Sequence, residues 1–528
     1  MSVRRTGPVS FFILAAIFVL WACPGARAEL ELLGEKGILV KKESSDWQMN
    51  MDGSLRLSFN SLGRVVTLDH DNKNDLQNYM GEQYSAGLGI KFREEYEAYI
   101  KFASFGPARY DAPVLPSRAV HTIFGDVGEY SRWELLPRLE EWWVSSPIVP
   151  GRTERARAGL FKYSVASGLA LGGYYENYGV DVSAVYGDLE ARLHFAVPDI
   201  ENKWYLGPRV HEEKEIFGMK YNSNAWFFAA DADWKFAEGS NIQPYFGVLV
   251  DRTPASKRSG FYATPVDTEY LGTYGSAFRW EKEAFSLTFE TAANFGKAWS
   301  IDPRMPDITH GGWMFTAGAS YSLLDERVKP RADFYYLSGN KFVGDDITGG
   351  QIVKGHNREF STYSPLNGNL SDSFYQAFEK GPYVFAGMGN SLNNGILRPN
   401  SFGDPYVMTN LIAPNLGLDM AITEKLEVSL DYWFLRSAEK AIGADYDPVS
   451  GVYSPYTLPS YMGNELDLYA EYKVNRYIVF SLLAGIFFPG DYFRKNRGDG
   501  DILGIAAAPR YDGGASNAWM LEAAVTYS

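Results

Sequence analysis

Residues Asn464 to Phe488 read N-E-L-D-L-Y-A-E-Y-K-V, then Asn475-Arg476, then Y-I-V-F-S-L-L-A-G-I-F-F. On an extended chain successive side chains point to opposite faces. Leu466, Leu468, Ala470, Tyr472 and Val474 therefore share one face, and Glu465, Asp467, Tyr469, Glu471 and Lys473 the other. Beyond the two turn residues, Ile478, Phe480, Leu482, Ala484, Ile486 and Phe488 line one side of a partner strand. A soluble sheet would bury the apolar face and wet the other, but this charged face is too dense and recurs along the chain. Trp226, Phe228, Ala230, Ala232, Trp234 and Phe236 alternate with Phe227, Ala229, Asp231, Asp233 and Lys235 in the same way. The expected fold is all-β: a transmembrane antiparallel up-and-down barrel with lipid outside and water inside.

Composition agrees. Aromatic residues make up 15% of the 528-residue chain, yet mean hydropathy is only −0.23. After residue 28 no apolar run reaches the length of a membrane helix. Alternating strands with interfacial aromatic girdles give this combination.

Residues 1–28 read as a cleaved signal peptide, with Arg4 and Arg5 in front, an apolar run from Phe11 to Trp21 and a small-residue site at Ala26-Arg27-Ala28. An uncleaved anchor or a lipoprotein site at Cys23 are the alternatives. Cys23 is the one cysteine, so cleavage leaves a mature chain without disulfides or thiolate metal sites. Cleavage also removes three of the 50 basic residues and none of the 64 acidic ones, so the mature balance is −17. That excludes a nucleic-acid partner. The expected organisation is a signal at 1–28, a short periplasmic segment at 29–46 and the barrel at 47–528.

Alternation marks nineteen strands: 47–60, 84–93, 96–105, 136–147, 154–165, 179–187, 189–197, 215–222, 225–237, 242–252, 268–282, 284–297, 312–325, 328–338, 407–422, 426–437, 462–474, 476–488 and 516–528. A bacterial barrel with both ends in the periplasm needs an even number. Counted back from the C-terminus, links such as 475–476, 423–425 and 326–327 fall on the periplasmic side, and long links such as 489–515 and 339–406 fall outside. Counting from the N-terminus collides with this register between residues 154 and 225, so one strand there is false. Eighteen strands are expected, with twenty as the alternative. The 68-residue link 339–406 is too long for a connector and is expected either to fold into the mouth or to remain an external loop.

Several phrases resemble the alginate-export family of outer-membrane porins. They are Leu139-Glu-Glu-Trp-Trp-Val with Arg157-Ala-Gly-Leu-Phe-Lys-Tyr-Ser-Val-Ala-Ser-Gly-Leu, and Asp333-Phe-Tyr-Tyr-Leu-Ser-Gly-Asn340 with Tyr363-Ser-Pro365. Leu416-Gly-Leu-Asp-Met with Leu426-Glu-Val-Ser-Leu-Asp-Tyr-Trp-Phe and Glu465-Leu-Asp-Leu through Phe487-Phe-Pro-Gly-Asp491 complete the set. The resemblance implies an eighteen-stranded, monomeric barrel in the bacterial outer membrane whose lumen conducts a small molecule or an anionic polysaccharide. A polymer exporter would have an arginine-rich lumen, whereas the inward residues here are mixed in sign.

Projection onto faces puts Arg93, Lys101, Arg155, Arg157, Arg192, Lys235, Arg279, Arg331, Asp333, Glu427, Asp431, Glu465, Asp467 and Glu471 along the solute path. Most of the basic candidates precede residue 236 and most of the acidic ones follow it. The lumen is then expected either to carry a transverse field between a basic and an acidic wall or to pair these charges with one another. Asp69, Asp71 and Asp75 share one loop and are weak calcium candidates. No cofactor is expected. Neither G-x-S-x-G nor H-E-x-x-H occurs, and the six histidines are scattered. His194 is the one predicted to face the lumen from a strand. The expected function is a porin-like channel for small polar solutes, saccharides or an anionic polysaccharide, with membrane lipid and the solute as partners. A barrel sheathing a periplasmic or secreted partner is the alternative, and an outer-membrane enzyme comes third.

Overall fold

The computed structural model describes residues 28–32, 38–42, 47–63, 76–93, 95–104, 137–172, 177–197, 225–252, 266–303, 307–339, 347–348, 351–352, 356–358, 360, 382, 384, 410–440, 442–447, 452–457, 459–494 and 516–528. Eighteen strands form the cylinder. They are β1 (Trp47–Gly63), β2 (Leu76–Phe92), β3 (Tyr96–Ser104), β4 (Pro137–Pro147), β5 (Arg155–Phe161) and β6 (Asn177–Tyr186). Then come β7 (Leu189–Val197), β8 (Ala225–Ala237), β9 (Ser240–Asp251), β10 (Val266–Lys282), β11 (Phe285–Ser300) and β12 (Trp313–Tyr321). The last six are β13 (Val328–Leu337), β14 (Leu411–Ala421), β15 (Leu426–Ser437), β16 (Tyr461–Lys473), β17 (Ile478–Pro489) and β18 (Ala518–Tyr527). Each pairs antiparallel with its neighbours, and β18 closes on β1 from Tyr527↔Leu55 to Trp519↔Gly63. No edge is left between them, which is what a strand structure in hydrocarbon requires.

The extra strand of the sequence reading is 215–222. It lies outside the described residues, and the cylinder closes without it because β7 pairs directly with β8. With that removed, tight turns and long links alternate as expected. The tight turns are built by local chemistry: Gly187 and Gly239 take φ of +61° and +68°. Asn475 Oδ1 accepts the amides of Tyr477 (2.8 Å) and Ile478 (3.0 Å).

Closure is staggered. The first half of β1 runs past the end of β18, and Gln48 to Met51 pair instead with Lys41 to Ile38. That strand, Ile38–Lys42, forms a hairpin with Ala28–Leu32.

Both faces follow the alternation. Outward, Leu466, Tyr472, Phe480, Leu482 and Phe488 stay exposed in the absence of lipid, as do Phe228, Trp234 and Phe236. Rings gather at both ends of the wall, with Trp47, Phe92 and Tyr96 near the tight turns. Trp313–Tyr336 and Tyr270–Trp299 do so near the long links. Such girdles mark the two bilayer interfaces.

Candidate functional site

The inner wall is tiered. Nearest the long links it is apolar, with Phe161, Phe227, Leu249, Met314, Leu411, Trp433 and Phe487 all buried. These residues face inward, so their cover comes from inside the cylinder. Among the described residues, the segment 162–172 after β5, Phe360, Val384 and the short helix Asp491–Arg494 after β17 supply it.

Beneath this tier runs a hydrogen-bonded belt. The Arg157 Nε–H donates to Asp181 Oδ2 at 3.1 Å, and the other Asp181 oxygen faces His194 Nδ1. Arg192 donates to Asp231 at 3.1 and 3.2 Å, and Gln243 donates to the same oxygen at 3.0 Å. Tyr245 lies over Gly275 and donates to Glu290 at 2.6 Å. Across the barrel, the Arg331 guanidinium meets Asp333 (3.1 Å), Asp419 (3.4 Å), Asn415 (3.1 Å) and Asp431. Arg56 pairs with Glu522. Nearest the tight turns the charges are wetter: Lys473 reaches Glu427 at 2.9 Å and Glu471 at 3.7 Å.

The segment 162–172 is clamped on the belt rather than hanging over it. Tyr163 stacks on the His194 ring at 4.0 Å and 9°, and its hydroxyl donates to Asp231 at 3.1 Å. Burial and the Asp231 carboxylate push the Tyr163 phenol up, so it remains a donor. The Ser167 amide donates to Glu290 at 3.3 Å, and Leu171 packs where Gly247 leaves room for it. The opposite wall repeats the device, with the Val384 amide donating to Glu465 at 2.7 Å.

Most expected path residues therefore face inward, and of the two expectations for their charges the transverse field gives way to pairing between nearby side chains. Lys101 is held by Glu140 at 2.7 Å, and Arg155 donates to the Glu95 carbonyl at 2.9 Å and lies 3.9 Å from Glu97. Arg279 pairs with Glu281 two residues along its own strand. Lys235 and Arg279 line a cleft of about 670 Å³ at the tight-turn rim. Glu465 and Asp467 are buried by the infolded segments, not washed by a channel. Arg93 needs correction: it lies in the β2–β3 turn at φ +54°, with its guanidinium 5.0 Å over the Phe92 ring in the outer girdle, because the strand ends one residue earlier. Asp69, Asp71 and Asp75 lie outside the described residues, as does most of 339–406. Asp181, Glu140 and Tyr163 were missed in the sequence. Their signal was the inward parity of Asp181 opposite Arg157, which register alone reveals.

A closed eighteen-stranded barrel agrees with a family match. The family described as Alginate export matches residues 202–500, more than half of the chain. The chain belongs to the alginate-export family. This alginate-export barrel is a bacterial outer-membrane channel for small solutes or polysaccharide. No curated protein matches it. Among solved structures it is similar to a BenF-like porin from Pseudomonas fluorescens Pf-5, at 8% identity and TM-score 0.46, over 91% of this chain and 98% of that one. It is also similar to the outer-membrane protein opdK from Pseudomonas aeruginosa, at 10% identity and TM-score 0.45, over 91% and 98%. The same identity and score hold for OccAB4 from Acinetobacter baumannii, over 91% and 97%.

Proposed function

We propose that this member of the family passes small polar solutes and saccharides, with a preference for neutral or cationic species over a free polyanion, and has no catalytic role. One observation carries this reading: the guanidinium groups of the belt are already claimed by carboxylates. Arg331 alone faces three of them. A polyanion needs a run of cations whose donors are open to it. A neutral solute needs only hydroxyls, amides and carboxylates that accept and donate locally. The signal at 1–28 and a periplasmic location for the Ala28–Lys42 hairpin belong to the same proposal, supported by the placement of that hairpin beside the tight-turn end of β1.

The test is planar-bilayer recording of the purified mature chain across a KCl gradient. Open steps with a reversal potential on the cation-selective side support the reading. Anion-selective steps would overturn the preference. A silent barrel that conducts only after a bound partner is stripped would favour the sheath alternative.

A further inference from the structure

We propose that Tyr99 and Trp143 form a saccharide-stacking platform on the lumen wall, selective for a neutral hexopyranose; this rests on the channel reading above and names its substrate class. The two residues stand directly opposite on β3 and β4. Their ring centroids are 5.8 Å apart and their planes differ by 31°. The cross-strand row that holds them is otherwise hollow. Gly89 precedes Tyr99 on β2, and Gly159 and Gly179 follow Trp143 on β5 and β6.

Gly159 lets the β4 and β5 backbones approach closely beside Trp143, and the Tyr99 ring lies against Gly89. A methyl at Gly159 would stand 2.6 Å from Trp143 Cα, and Gly159 takes φ +150°, which favours glycine. At Gly89 a methyl would touch Tyr99 Cδ2 at 3.7 Å. Both rings remain half-buried, in a wall whose other inward residues nearby are charged. The Arg157 guanidinium carbon stands 5.7 Å over the Trp143 ring; the rest of these partly wet aromatic surfaces gains little from burial in a polar lumen and can meet a ligand.

Flanking groups define that ligand. The Trp143 indole N–H donates to Glu141 at 2.9 Å, and the Tyr99 hydroxyl donates to Asp52 at 3.2 and 3.3 Å. Carboxylates at the rim of an aromatic floor accept hydrogen bonds from hydroxyls. A pyranose offers that pair of surfaces, a C–H face for the ring and hydroxyls around its edge. The nearby cations are taken, Lys101 by Glu140 and Arg157 by Asp181. A uronate carboxylate therefore finds repulsion from Glu141 and Asp52 without a compensating donor.

The experiment measures current block of the full mature chain by maltohexaose and by an oligouronate of similar length, with calorimetry of the detergent-solubilised protein alongside. Trp143→Ala and Tyr99→Ala are expected to weaken maltohexaose block by roughly ten- to a hundredfold, the scale of losing one buried aromatic contact. Trp143→Phe, which keeps a ring, should restore most of it. Equal block in wild type and Trp143→Ala would overturn the platform, as would block by the oligouronate alone. Ionic steps without any sugar effect would sink the platform and leave the channel standing. If no steps occur the channel reading fails, and the calorimetric titration with maltohexaose still decides the platform.

Discussion

Gly417 shows how much a missing side chain can do. It sits on β14 directly between Arg331 on β13 and Asp431 on β15. A methyl there would stand 2.5 Å from the Arg331 guanidinium carbon, and the guanidinium cannot swing away without leaving its carboxylates. Gly417→Ala is expected to destabilise the folded barrel by about 1–3 kcal/mol, the usual cost of overpacking, read as a lower urea midpoint in detergent. Arg331→Gln strands three carboxylates whose partner side chain is only 13% exposed, and removing one partner of such a group costs on the order of 3–5 kcal/mol. The same variant should shift the reversal potential further toward cation selectivity, and an unchanged potential would show that the cluster lies off the conducting path. Inward parity of Arg331, Asp333 and Asp431 was legible in the sequence. Their meeting was not, because it depends on the register of three strands and on a glycine between them. Arg93 fell on the wrong side of a strand end for a related reason: alternation does not announce where it stops.

At the scale of elements, the segment after β5 is the main departure from the sequence reading. Alternation continues to residue 165, yet the strand ends at Phe161 and the chain turns inward. Tyr163, which would have continued the inward face, instead caps the belt from above. Nothing in Lys162-Tyr163-Ser164-Val165 separates a strand that continues from a segment that folds inside, since each presents the same apolar and polar parity. What decides it is the surface opposite: His194 for the ring, Glu290 for the Ser167 amide, and Gly247 for Leu171. Tyr163→Phe should cost about 1 kcal/mol, one hydrogen bond, since Asp231 keeps Arg192 and Gln243. Tyr163→Ala loses the stack as well, so the segment should leave the wall, raising single-channel conductance and open-state noise. If both stay at wild-type values while the variant folds, the segment does not narrow the lumen.

For the whole molecule, closure and charge are the two properties that alternation did reveal. The ring from β1 round to β18 leaves no strand edge, and every inter-strand bond must break together for the wall to open. The folded protein should therefore keep a compact, fast-migrating form in unheated SDS and a β-type circular dichroism spectrum, both lost on boiling; a helical spectrum would sink the architecture. Charge acts over a longer range. Wall carboxylates such as Glu427 and Glu471 meet solvent near the tight-turn mouth, where Lys473 is their shared partner. Surface charges act over about 10 Å at 0.1 M salt and only about 3 Å at 1 M. A cation preference that arises from the mouth should then be strong in 0.1 M KCl and nearly vanish in 1 M. One that arises from the Arg331 cluster, buried among Asp333, Asp419 and Asp431, should survive the salt. Reversal potentials measured at a fixed tenfold gradient from both starting concentrations separate the two, and Lys473→Gln should raise the low-salt value alone.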